Sequence, residues 1–349
     1  MTEPSAPTTT RPFRFCSLVS EASGEDPIGS AWSTDHYLLV ELALPWGPNV
    51  LEGSKVPAGF GDLIVEAWDQ GARWGLIGLA PDEAYSVPGM VRVIDFRLPA
   101  APFHRYERDE YLFPTDALVP SLRFLAKTAK PPELDAFRQP PAIARDLLVC
   151  THGAVDACCA KFGYPMYRQL RHLADSAPSP TRVWRCTHFG GHRFAATLLD
   201  LPDGRYWGRL TPAHLSHLMQ RDVPVAELRG CYRGWSALPH PLQQVAEGDA
   251  FVRGDWAWTE CAVIPSDPPP LDATTAPIAF AYEHLSRGER GEITLDVTPD
   301  GTLPTQESSS DPTLIDAPQY RTVVRRVSPE HGLLRDGNAR VDDGRAVGR

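Results

Sequence analysis

The stretch from Cys150 to His192 constrains this chain more than any other. It opens with VCTHGAVDACCAKFG (Val149 to Gly163) and closes with WRCTHFGGH (Trp184 to His192), which sets Cys150 and Cys159 in a C-x8-C arrangement and His188 and His192 in H-x-G-G-H. Arg145 to Val149 and Thr181 to Thr187 read as short buried strands. Between them Pro165 suits a first helical position, and Met166, Leu170 and Leu173 recur at helical spacing up to the turn at Asp175 to Pro180. A strand, helix, strand crossover is right-handed and its strands run parallel, so the loops that follow both strands leave the same sheet edge. Cys150 and His188 each fall just past a strand end. The two pairs are therefore expected to face one another across a few ångströms.

Gly190 and Gly191 remove two Cβ atoms where backbone would approach a bound group, and two adjacent glycines would cost a helix about 1 kcal/mol each. The histidine pair thus reads as a loop clamp. Two cysteines and two histidines suit zinc or an iron-sulfur cluster. Structural zinc knuckles pair their cysteines more closely than C-x8-C, whereas a two-iron cluster is broader than an ion, and Rieske centres mix histidine with cysteine. The spacing favours the cluster, with a zinc clamp as the alternative.

On these residues the chain resembles the sucrase/ferredoxin-like family, a branch of the thioredoxin-like 2Fe-2S ferredoxins. The resemblance rests on the C-x8-C pair, H-x-G-G-H, the strand pair around Pro202, Asp203 and Gly204, and the closing helix TPAHLSHLMQRD (Thr211 to Asp222). It is specific over about Leu147 to Asp222 and extends more loosely upstream to about Phe13, through FCSLVS and LPWG. It implies Cys150, Cys159, His188 and His192 as ligands of a 2Fe-2S cluster, the cysteines on one iron and the histidines on the other. It also implies electron transfer and a homodimer as one arrangement; since reduction of the iron would raise the histidine pKa, electron and proton uptake are expected to couple. The sugar hydrolysis that the family name suggests needs a carboxylate pair about the scissile bond, and no motif here supplies one.

Neighbouring groups have competing readings. Cys158 beside Cys159 would allow C-x7-C, and Cys186 could compete for iron; the family pattern favours Cys159. A bond between vicinal Cys158 and Cys159 would be strained. His152 could serve the centre or the loop. Cys16 reads as a small buried hydrophobe and Trp46 as a packing anchor. Arg193 and Arg205 read as solvated, as do His214 and His217 on the closing helix.

The 349 residues suit more than one domain, and 42% hydrophobic with 22% charged residues is ordinary for a globular chain. A net charge of -10 without a basic patch argues against nucleic acid as partner, leaving an unidentified redox protein. Seven cysteines make an odd count, unevenly spaced, which suits a reducing cytoplasm better than a disulfide scaffold. No secretory signal or membrane span is expected.

The expected fold class is α/β: a thioredoxin-like ferredoxin domain (142–235) preceded by a second α/β domain (12–141), compatible with a degenerate thioredoxin-like unit. A small β-rich extension (236–333) follows, and 1–11 and 334–349 are expected to be disordered. In the first domain strands are predicted over Tyr37–Leu44, Trp74–Leu79 and Val91–Leu98, with helices over Asp62–Gln70 and Thr115–Ala129. Beyond it, Phe194–Leu201, Tyr206–Leu210, Trp256–Ile264, Ile278–His284, Ile293–Val297 and Tyr320–Val327 read as strands and Pro241–Ala250 as a helix. The function expected is soluble electron transfer, with a Cys2His2 zinc-stabilised binding protein as alternative. An enzyme using the cluster or a thiol in a pocket between domains ranks third.

Overall fold

The computed structural model describes residues 13–53, 55–72, 74–125, 132–328 and 333–334. The expected disordered lead, and the tail beyond Leu334, lie outside them. After a short helix α1 (Cys16–Ser23), one strand order is built twice. The first unit is β1 (His36–Glu41), α2 (Phe60–Asp69), β2 (Gly75–Leu79), β3 (Met90–Arg97), β4 (Glu107–Pro114) and α3 (Leu118–Leu125). The second is β5 (Arg145–Cys150), α4 (Ala157–Ala174), β6 (Thr181–Cys186), β7 (Leu198–Leu201), β8 (Arg205–Trp207) and α5 (Pro212–Gln220). In each, the first two strands run parallel and the third pairs antiparallel with the first, giving β2-β1-β3-β4 and β6-β5-β7-β8. That is the strand, helix, strand, hairpin, helix order expected of a thioredoxin-like unit. The two units join into a nine-stranded sheet where Leu79 pairs antiparallel with Cys186, and β9 (Tyr232–Trp235) closes its far edge.

Alternation along the strands sorts the core into layers. Leu38 and Val40 face α2 and α3, whereas Leu147 and Val149 face α4 and α5. The opposite faces meet each other: Tyr37, Leu39, Ile94 and Phe96 of the first unit pack with Leu148, Trp184, Leu199 and Tyr206 of the second. Charged groups cross the same seam. Arg182 donates to both oxygens of Glu110 at 3.0 Å and to Asp146 at 2.8 Å, while Arg92 and Arg108 also pair with Glu110. Opposite charges thus face one another across the seam, as buried charges must, although the Arg92 Nε is left without a partner.

Past α6 (Pro241–Gly254), strands β10 (Cys261–Pro265), β11 (Ala276–His284), β12 (Arg290–Ser308) and β13 (Asp311–Ser328) form a four-stranded antiparallel sheet. β12 and β13 are much longer than the predicted strands. Their ribbon carries its tip back to α1 and the start of α4.

Several boundaries differ from expectation. α4 begins at Ala157, capped by Asp156, so Pro165 lies inside the helix rather than at its start. Residues Phe194 to Thr197 are not strand, because His192–Phe194 form a single 3-10 turn. The strand expected from Trp256 begins at Cys261 after a 3-10 segment, and α3 begins at Leu118. Helix α1 and strand β4 went unpredicted. Arg205 is not solvated: it is buried, donating to Glu247 and to the Tyr232 hydroxyl, each at 2.6 Å.

Candidate metal centre

The centre forms where the carboxyl ends of β5 and β6 meet the first turn of α4. Cys150 is the last residue of β5, and Cys159 lies one residue beyond Cys158 in α4, brought close because the helix packs tightly on the strand end. Gly163 makes that approach feasible: a Cβ there would lie 2.0 Å from the Cys150 carbonyl oxygen. The sulfurs of Cys150 and Cys159 each lie 3.7 Å from His188 Nδ1, and the three ligand atoms fall within 4.8 Å of one another. Burial opposes ionisation of Cys150, but hydrogen bonds from Cys159 and His188 outweigh it and hold its thiol well below the ordinary range. Cys159 is pushed up, first by its hydrogen bond to Cys150 and then by burial.

His188 is placed by both units. Thr187, just before it, donates its N-H to the Gly78 carbonyl at 2.8 Å and accepts the Gly78 N-H on its hydroxyl at 2.8 Å. The His188 N-H donates to His152 Nδ1 at 3.2 Å, and His152 Nε2 donates to the Gly47 carbonyl at 2.7 Å. These two bonds fix His152 as a neutral tautomer; its pKa is lowered, chiefly by burial. Trp46 packs edge-on against it at 5.5 Å. His152 therefore supports the His188 loop.

His192 stands beside this trio, its ring stacked on His188 with centroids 5.1 Å apart. Its Nε2 donates to the Glu307 carbonyl at 2.8 Å, which leaves Nδ1 as the lone-pair nitrogen. That atom is buried with no hydrogen-bond partner. A buried acceptor left empty is costly and calls for an explanation. Gly190 and Gly191 earn their place differently from expectation: both have positive φ, 89° and 78°, and a Cβ on Gly191 would meet the Arg233 guanidinium at 2.2 Å. The buried Arg233 donates to the Gly190 carbonyl at 3.1 Å and holds the loop from beneath.

Cys158 points away from this centre. Its sulfur lies 3.5 Å from that of Cys16 and accepts from the Ser17 hydroxyl at 3.3 Å. The hydrogen bond from Cys16 leads the effects that lower Cys158 to about 6, while the same bond and burial raise Cys16. Cys186 is buried in the seam with its thiol pushed up, first by burial. Elsewhere, His214 caps α5 and His217 pairs with Asp222 at 2.8 Å. Arg193 pairs with Glu25 and Glu307.

Sequence reasoning missed Asp156, Glu307, Ser309 and Arg233. Asp156 had a local signal, an acidic cap just before the helix. The others act across the fold and left none.

The model of the sucrase/ferredoxin-like family matches residues 27–234, more than half of the chain. Among solved structures, a thioredoxin-like [2Fe-2S] ferredoxin from Aquifex aeolicus aligns at 15% identity and a TM-score of 0.22, over 25% of this chain and 90% of its own. No curated protein matches. Among the described residues, no helix is long and apolar enough to cross a membrane.

Proposed function

Since the chain belongs to the sucrase/ferredoxin-like family, we propose that it is an electron-transfer protein holding a 2Fe-2S cluster through Cys150, Cys159, His188 and His192. The observation that carries this reading is the donor set: two thiols facing His188 Nδ1, beside a buried His192 Nδ1 with no partner. When bound, such a cluster supplies one-electron chemistry at a potential between about -400 and +300 mV, the span from plant-type to Rieske centres.

The chain's own residues do the remaining work. Cys150 and Cys159 present soft, ionisable sulfur from a rigid strand end and helix start. The Glu307 carbonyl holds the His192 proton on Nε2 and so directs Nδ1 inward, the outer-shell role that fixes a ligand's tautomer. His152 fixes the His188 backbone, and Cys150 and Cys159 are themselves buried away from water.

A second reading is a zinc clamp. It draws on the compactness of the Cys150, Cys159 and His188 trio, which would suit a single ion. Anaerobic purification separates the two. The cluster reading expects coloured protein with about two irons and two acid-labile sulfides per chain. Cys159→Ser should lose them and Cys158→Ser should keep them. Colourless protein with zinc in the same site would overturn it.

A further inference from the structure

The buried contact between Cys16 and Cys158 is a second sulfur site, adjoining the proposed centre and separate from it. Cys16 opens α1 and Cys158 sits in the first turn of α4, so two helix starts from distant parts of the chain bring their sulfurs to 3.5 Å. Around them the ribbon tip is tied down. Ser309 Oγ lies 3.2 Å from Cys158 Sγ and 3.4 Å from Cys16 Sγ, and accepts the Cys16 N-H at 3.1 Å.

Asp156 completes the cluster, which raises the question of an ion. Its carboxylate is already full: one oxygen accepts the Cys158 N-H at 2.8 Å and the Ser309 hydroxyl at 2.8 Å. The other accepts the Ser309 N-H at 2.8 Å and the Ser308 hydroxyl at 3.1 Å. A carboxylate offers about four such positions, so none remains for a metal. The two sulfurs keep each other at 3.5 Å, the Ser17 hydroxyl on Cys158, and a longer contact of 3.8 Å from Cys16 to Asp156 Oδ1. A cleft of about 470 Å³ opens directly outside, lined by Phe13, Val19, Gln306, Ser309 and Leu314. Ser309 both lines that cleft and touches the two buried sulfurs.

We propose that Cys16 and Cys158 form a reversible disulfide when the protein meets a hydroperoxide. The Cys158 sulfur, which receives the Ser17 hydroxyl, attacks one peroxide oxygen; the O-O bond breaks and hydroxide leaves, becoming water with the thiol's proton. The Cys16 sulfur then attacks the resulting sulfenic acid, the S-O bond breaks and a second water leaves. Two thiols lose two electrons and one hydrogen peroxide becomes two waters. Bonding shortens the sulfur separation from 3.5 Å to about 2.05 Å and draws the first turn of α4, which bears Cys159, toward α1.

The test treats the full chain, as purified, with one equivalent of hydrogen peroxide, then denatures it, alkylates with iodoacetamide and maps tryptic peptides. Iron is measured in parallel, so damage to the proposed centre is scored apart from bond formation. The expected result is a link between the peptides Phe15–Lys55 and Asp146–Lys161, placed by fragmentation at Cys16 and Cys158 and removed by dithiothreitol. Cys16→Ser should abolish the link and leave Cys158 carrying added oxygen. Full alkylation of both thiols after peroxide, or a link from either to a different cysteine, would overturn the proposal. So would a stoichiometric metal ion that Cys16→Ser releases. The wild-type map decides even if the variant fails to fold.

Discussion

The two units share a strand order and differ in what stands at the strand tips. β1 ends in Glu41, whose carboxylate is buried with a partner on each oxygen, accepting the Ser86 hydroxyl at 2.5 Å and the Arg92 N-H at 2.9 Å. The corresponding strand of the second unit ends in Cys150, beside a second thiol and a histidine nitrogen with no partner inside the fold. The same backbone thus makes a closed polar cluster in one copy and an open donor set in the other. Polar groups that the fold satisfies hold it together, and the proposed centre rests on donors that it leaves open. The first unit still serves the second. Its loop after β1 supplies Gly47 and Trp46 to His152, and its β2 grips Thr187.

The largest effect should come from breaking the seam. Glu110→Ala would leave Arg182, Arg92 and Arg108 facing one another without their shared carboxylate, a loss of about 3–5 kcal/mol in urea unfolding. Glu110 also sets a pH dependence. Burial alone would raise its pKa, but the hydrogen bond and charge of Arg182, followed by Arg108 and Arg92, bring it below the usual carboxylate value. A depressed folded pKa gives stability that is complete above the unfolded value of about 4.3 and lost as the pH falls through the folded one. Glu110→Gln should flatten that acid limb, read as the midpoint of urea unfolding against pH. An unchanged limb would mean the seam charges do not couple the units.

Next comes the close approach that builds the donor set. Gly163→Ala would force a Cβ into the Cys150 carbonyl, which is backbone and cannot swing aside, so α4 must lift from β5. A loss of about 3 kcal/mol is expected, together with reduced iron. Val65→Ala on the exposed side of α2 should cost under about 0.5 kcal/mol and leave iron unchanged. Equal losses from the two would erase the distinction between the units.

Much of this is legible in the sequence where contacts are local. β5 and β6 read correctly because each is a short run buried on both faces, and Thr211 with Pro212 announces α5. Cys150, Cys159 and His188 come together as the crossover requires. β4 escaped because its opening residues, Glu107 to Glu110, are charged like a loop; inside the fold Arg108 and Glu110 face partners on β5 and β6. Pro165 misled because proline prefers the first turn, while Asp156 had already capped the helix upstream. Cys16 read correctly as buried, but its neighbours did not show. Cys158 is 142 residues away and Ser309 is 293. The acceptor that orients His192 lies 115 residues further on. Contacts of that range leave no local period to read.

The smallest effect tests how far the first unit enters the centre. Trp46 donates to the Leu42 carbonyl at 3.0 Å and lays its ring edge-on against His152, which in turn holds the His188 N-H. Trp46→Leu removes one hydrogen bond and one aromatic contact, each worth about 1 kcal/mol. The loop bearing Gly47 would loosen, and with it the bond that fixes His152. If the first unit only buttresses the second, thermal stability should fall by a few degrees while iron and sulfide per chain stay constant. Loss of iron at unchanged stability would show instead that the loop after β1 belongs to the centre, making the site a joint product of both units.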